Sequence, residues 1–81
     1  MEQMMTIKST KGLHASLASK LVQLASRYDA QIHLQYEDVV IDAKSILGLL
    51  SLAIPQGENI RVTASGIDAA KALKEIQKLL E

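Results

Sequence analysis

One histidine in this chain stands where a side chain can do chemistry. His14 lies in Gly12-Leu13-His14-Ala15-Ser16, and the residues from Ser16 onward have the apolar spacing of a helix. The first N–H groups of a helix have no intrahelical acceptor and carry the positive end of the helix dipole. An imidazole placed just before them is a nucleophile next to a set of anion donors. That pairing puts a nucleophilic nitrogen next to a ready-made phosphate cradle. The same residues also describe a capping or merely exposed histidine, because Gly-Leu-His is a short motif. Ser45 is a second residue of interest, since it precedes an apolar run and is suited to cap a helix there. His33 falls on the polar face of its segment and has no carboxylate at metal-ligand spacing. No metal site is expected, and no Ser/His/Asp set suggests hydrolysis. Ser51 and Ser65 read as structural, and Lys71, Lys74 and Lys78 as a solvated helix face.

Composition narrows the function classes. The 81 residues make one small domain, 1–81, with a single core. Apolar residues make up 48% of the chain, yet there is no Phe or Trp and there are two Tyr, so the core must be aliphatic. The chain has no Cys, which leaves no disulfide framework and no thiolate site. Nine basic and nine acidic residues cancel, and no basic stripe is interleaved with aromatics, which argues against a nucleic-acid partner. Met1-Glu2-Gln3-Met4-Met5 lacks the regions of a signal peptide. No apolar run approaches the ~20 residues of a membrane span. A cytoplasmic protein without membrane insertion is expected.

The elements that must hold His14 follow from periodicity. Met4 to Ser9 alternates weakly and reads as a strand, with Met5 and Ile7 on one face. A helix follows from about Ser16 to Tyr28. At about 100° per residue, Leu17, Ala18, Leu21, Val22, Leu24, Ala25 and Tyr28 share an arc of roughly 160°, with Leu17 toward one edge and partly exposed. Gln31 to Tyr36 alternates strictly, Glu37-Asp38 reverses the chain, and Val39 to Ala43 returns with Val39, Ile41 and Ala43 on one face. A short helix from Ile46 to about Leu52 is apolar nearly all round. Part of it must show at the surface, which suggests a partner; a deeply inserted core helix is the alternative. Asn59 to Ser65 is a further strand, and Asp68 is placed to cap a last helix ending at Leu80.

The order is β-α-β-β-α-β-α. Four strands, each with one apolar face, imply a sheet open to water on one side, with helices covering the other. The expected class is α+β: a two-layer, open-faced β-sandwich of a four-stranded antiparallel sheet with three helices on one face.

Element order, length and three motifs resemble the HPr family, the histidine phosphocarriers of the bacterial sugar phosphotransferase system, across essentially the whole chain. Gly12-Leu13-His14-Ala15 resembles the active-site motif. Leu21-Val22-Gln23-Leu24-Ala25-Ser26-Arg27-Tyr28-Asp29-Ala30 resembles the helix that follows it. Ala43-Lys44-Ser45-Ile46-Leu47-Gly48-Leu49-Leu50-Ser51-Leu52 resembles the regulatory-serine segment and is the most specific of the three. The resemblance implies that His14 accepts a phosphoryl group at Nδ1 from Enzyme I and passes it to IIA domains. It implies that Ser45 is the target of an HPr kinase/phosphorylase. It implies a partner-docking surface of Ile46, Leu47 and Leu50, flanked by Leu17 and Lys20. No cofactor is implied, and the chain is a carrier rather than a stand-alone enzyme.

The chain departs from the family pattern where His-Ala continues to Ser16-Leu17 instead of arginine and proline. Proline near a first helical turn is readily replaced. Arginine is not, because a guanidinium brings a planar fork of donors and a full charge to phosphate. Ser16 supplies a backbone N–H and a hydroxyl. Lys20 and Lys11 are the cations in sequence reach. Two readings follow: a phosphocarrier using His14, or a regulatory paralogue that no longer transfers and acts by docking.

Overall fold

The computed structural model describes residues 1–81. The elements are β1 (Glu2–Thr6), α1 (Ala15–Ala25), β2 (Gln31–Tyr36), β3 (Val39–Asp42), α2 (Ile46–Leu52), β4 (Asn59–Ser65) and α3 (Ala69–Leu80). The strands form one antiparallel sheet in the order β1-β4-β2-β3. The expected class therefore stands.

Alternation decides which sheet face is covered. Met5, Ile32, Leu34, Ile60, Val62 and Ala64 point to the buried side. They meet Ala18, Leu21 and Ala25 of α1, Leu49 of α2, and Ala72, Leu73, Ile76 and Leu80 of α3 in one cluster. The other face is wet. Across it, Glu2 pairs with Thr63, Thr63 with His33, and His33 with Asp42. His33 is exposed there, as its place in the alternation requires. No polar or charged residue is buried, so every group able to react lies at the surface.

Several boundaries differ from the periodic reading. β1 runs over Glu2–Thr6 rather than from Met4 to Ser9, because pairing with Asn59–Thr63 of β4 sets its length. Ile7 is nevertheless buried, held by its N–H to Glu58 O at 3.0 Å and by its carbonyl to Gly57 N–H at 2.8 Å. α1 ends at Ala25, and a tighter turn carries the chain to Tyr28, with Arg27 N–H bonded to Leu24 O and Tyr28 N–H to Ala25 O. β3 stops at Asp42. Val39, expected inward, is 48% exposed because β3 is a short edge strand. Glu37 makes the preceding reversal at φ 54°, a conformation that Gly adopts more easily. Asp68 precedes α3 but makes no side-chain cap; its Oδ2 accepts instead from Asp29 N–H at 2.8 Å.

Long-range hydrogen bonds close the ends of the sandwich. Lys44 Nζ donates to the carbonyls of Ala30 at 2.9 Å and Tyr28 at 3.3 Å, fastening the α1–β2 turn to the start of α2. Thr6 N–H donates to the Glu81 carboxylate at 2.8 Å. That bond, with help from Gln77, holds the Glu81 carboxyl below its usual range. Its contribution is present above the unfolded pKa and lost as pH falls through the lowered one. Tyr36 Oη–H donates to Glu58 at 2.8 Å, which pushes the phenol up to about 12.

Candidate functional site

The site is built from the end of a loop and the start of α1. Gly12 has φ 67°, its N–H bonds to Ser9 O at 2.9 Å, and its carbonyl accepts from His14 N–H at 3.0 Å. A Cβ on Gly12 would run into the Ile54 carbonyl oxygen and stand 2.9 Å from Pro55 Cα, so the loop lies flat on the α2–β4 connection. Only glycine combines that backbone conformation with that approach. Leu13 then buries its side chain, and its N–H bonds to Ile54 O at 2.8 Å.

These contacts deliver His14 in extended conformation (φ −90°, ψ 175°) as the N-cap of α1. Its carbonyl accepts from Ala18 N–H at 2.8 Å, and its Nδ1 accepts from Leu17 N–H at 3.4 Å. An Nδ1 that accepts carries no proton, so in the neutral ring the proton is on Nε2. The bond is long for an N–H donor. The N–H groups of Ala15 and Ser16 have no acceptor in the chain. The imidazole is half-buried, while Ala15 and Ser16 are exposed. His14 Nδ1 and the amides of Ala15, Ser16 and Leu17 thus lie together at the start of α1.

The other residues named from the sequence fall into two groups. Ser45 caps α2, with its Oγ accepting from Gly48 N–H at 3.2 Å. Beyond it, Leu47 is 79% exposed, Leu50 42% and Ile46 37%, while Leu49 is fully buried. A one-sided anchor in so short a helix leaves Leu47 and Leu50 outside, while Leu52 packs partly buried against the core. α1 and α2 are packed neighbours. Leu17 is a correction: it is 8% exposed, part of the core, and offers the site its backbone N–H rather than a docking side chain. It belongs to the same buried cluster as Leu13.

The two helices themselves carry little charge. Lys20 is the one charged residue of α1, and α2 has none. Lys11, Lys20 and Arg27 are exposed and belong to no ion pair; the ion pairs are Arg61–Glu2 and Lys78–Glu75, elsewhere. Ser16 stands at the second position of α1 with no cation bonded near it. The Ile54 carbonyl and the Lys44 ammonium were not found by sequence reasoning, because the partners of both are remote along the chain.

The fold and the site define a class: small open-faced sandwiches that present one imidazole at the N-terminus of their first helix. A family model described as the PTS HPr component phosphorylation site matches residues 1–81. The phosphocarrier protein HPr from Bacillus anthracis str. Ames is 33% identical, with 100% of this chain and 96% of that one covered and a TM-score of 0.96. HPr-C-His from Thermoanaerobacter tengcongensis is 36% identical over 99% of this chain and 90% of that one, with a TM-score of 0.94. Crh, the Bacillus subtilis catabolite repression containing protein, is 32% identical over 91% of this chain and 85% of its own, with a TM-score of 0.79. The chain belongs to the HPr family, the phosphocarriers of the phosphotransferase system. No helix is long and apolar enough to cross a membrane.

Proposed function

We propose that the chain is a phosphocarrier that accepts a phosphoryl group on His14 from Enzyme I and passes it to IIA domains. The observation that carries this reading is the capping geometry of His14. Nδ1 already faces an N–H donor, that of Leu17. Its lone pair attacks phosphorus, a P–N bond forms, and the bond from phosphorus to the donor group breaks. Leu17 N–H then donates to a phosphoryl oxygen instead of to the ring, and the free N–H groups of Ala15 and Ser16 join it. The charge gained is stabilised by the helix N-terminus.

Docking in this reading uses Ile46, Leu47 and Leu50, with Lys20 supplying positive charge beside them. A partner surface that is apolar and rimmed by carboxylates fits that combination. Modification of Ser45 by an HPr kinase/phosphorylase would set negative charge against the patch and weaken docking there. The cytoplasm is the compartment this role requires.

A second reading is favoured by one residue. Ser16 replaces the arginine of the family motif, and no other cation is bonded at the site. In that reading the chain docks through the same patch and regulates without transferring. Incubation with Enzyme I and phosphoenolpyruvate, followed by intact-mass measurement before and after acid, separates the two. Acid-labile phosphate on the chain is expected. Its absence under conditions that label an HPr control would leave the docking reading.

A further inference from the structure

We infer that the turn at the end of α2, Ala53-Ile54, positions His14 for phosphoryl transfer through the Ile54 carbonyl. The inference rests on the reading of His14 as the acceptor. Ile54 O takes the Leu13 N–H at 2.8 Å, one residue before the cap, and its oxygen fills the space against Gly12. No other hydrogen bond joins the Gly12–His14 segment to the α2–β4 connection. That connection is itself fixed from below by Gly57 N–H on Ile7 O at 2.8 Å and Gln56 Nε2 on Lys8 O at 3.3 Å.

What aims the Ile54 carbonyl is Ala53, which lies in the left-handed region at φ 48°, ψ 50°. A residue other than glycine pays about 1–2 kcal/mol for that conformation, more when β-branched. Ala53 is exposed while Ile54 is buried, so the side chain at 53 packs against little. Substitution there alters the backbone preference of the turn and leaves the core and the Ile46, Leu47 and Leu50 patch unchanged. Ala53 is thus a positioning residue that acts on His14 through Ile54 and Leu13.

The test varies residue 53 and follows Enzyme I kinetics with this chain as the varied substrate, alongside hydrogen exchange at the Leu13 amide. Ala53→Val disfavours the left-handed turn. It should lower Leu13 protection and reduce kcat by at least about fivefold with KM unchanged, as expected when a nucleophile is displaced. Ala53→Asn, whose side chain tolerates that conformation, should keep both at the parent level. If Ala53→Val does not fold, a synthetic chain with an ester in place of the Leu13 amide removes the single donor and should show the same fall in kcat. Loss of Leu13 protection with unchanged kcat, a change in KM alone, or an equal loss in Ala53→Asn would overturn the inference while leaving the phosphocarrier reading intact. A parent chain that takes no phosphate from Enzyme I would overturn both.

Discussion

α1 and α2 begin in the same way and end up with different chemistry at their caps. Each starts after an extended residue whose side chain accepts from the N–H three positions on: His14 Nδ1 from Leu17 at 3.4 Å, and Ser45 Oγ from Gly48 at 3.2 Å. Serine is among the best caps and histidine is not. The α2 cap is thus a good structural choice, and the α1 cap is a structural compromise that the acceptor role proposed for His14 accounts for. The two helices also differ in what holds them. α1 buries Leu17, Ala18, Leu21 and Ala25, whereas α2 buries Leu49 alone. In the proposed role, a weakly capped but well-anchored helix exchanges its cap for a phosphoryl group without moving. A well-capped helix with one fully buried side chain leaves Ile46, Leu47 and Leu50 at the surface.

The largest effect expected from this contrast is at His14. His14→Ala should abolish acid-labile phosphate from Enzyme I while costing about 1 kcal/mol of stability, because a long bond to a poor cap and a half-buried ring are what is removed. Intact mass and a thermal melt check the two halves. A variant that still carries acid-labile phosphate would assign transfer to another nitrogen.

Next in size is the single anchor of α2. Leu49→Ala should destabilise the domain by about 2–5 kcal/mol, the range for truncating a fully buried leucine. Hydrogen exchange should show α2 opening before α1. Equal opening of both helices would mean that α2 is held by its cap and neighbours as firmly as α1 is held by its core.

The caps themselves can be set against each other at Ser45. Ser45→Ala should cost about 1 kcal/mol, or about 4–8 °C in Tm for a domain of this size. Ser45→Asp keeps an acceptor at a helix N-terminus, where negative charge is tolerated, and should melt near the parent. Its effect should fall on docking, as weaker binding to Enzyme I at low salt. An Asp variant that melts far below the parent, or that binds as well as the parent at low salt, would remove Ser45 from any regulatory role.

What the sequence revealed of this site, and what it did not, divides along range. The bounds of α2, β4 and α3 were legible because local periodicity and turns set them. So was the cap at Ser45, a residue type with one common use before an apolar run. The limits of β1 were not, because pairing with β4 decides them and Met4 to Ser9 alternates too weakly to insist. Asp68 looked like a cap and instead binds Asp29 N–H across the fold. Leu17 was expected to be partly exposed, because a helical wheel cannot show the tertiary packing that buries it in one cluster with Leu13. The placement of His14 was readable from Gly12 onward, but the Ile54 carbonyl beneath it was not, since 41 residues separate the partners of that bond.

The smallest expected effects concern the charge that the α1 site lacks, and here the comparison with α2 is sharpest, because neither helix start has a cation bonded to it. Side chains on a helix lean toward its N-terminus, and Lys20 lies four positions after Ser16, on nearly the same line of α1. It is exposed and free of ion pairs, so its ammonium can swing toward a phosphoryl group on His14. An ammonium supplies a point charge rather than a fork, so the compensation is partial. Ser16→Arg should therefore raise the rate of phosphorylation by Enzyme I by about tenfold, equivalent to about 1.4 kcal/mol of transition-state stabilisation. Lys20→Ala in the parent should lower the rate roughly twofold, in keeping with the few tenths of a kcal/mol that an exposed charge contributes. In the Ser16→Arg background the same truncation should matter less, because the guanidinium then occupies the position the ammonium served. The four proteins form a double-mutant cycle in which that interaction is the quantity measured. Equal rates in all four would mean that neither charge reaches the transferring group, and that the amides of Ala15, Ser16 and Leu17 stabilise it alone.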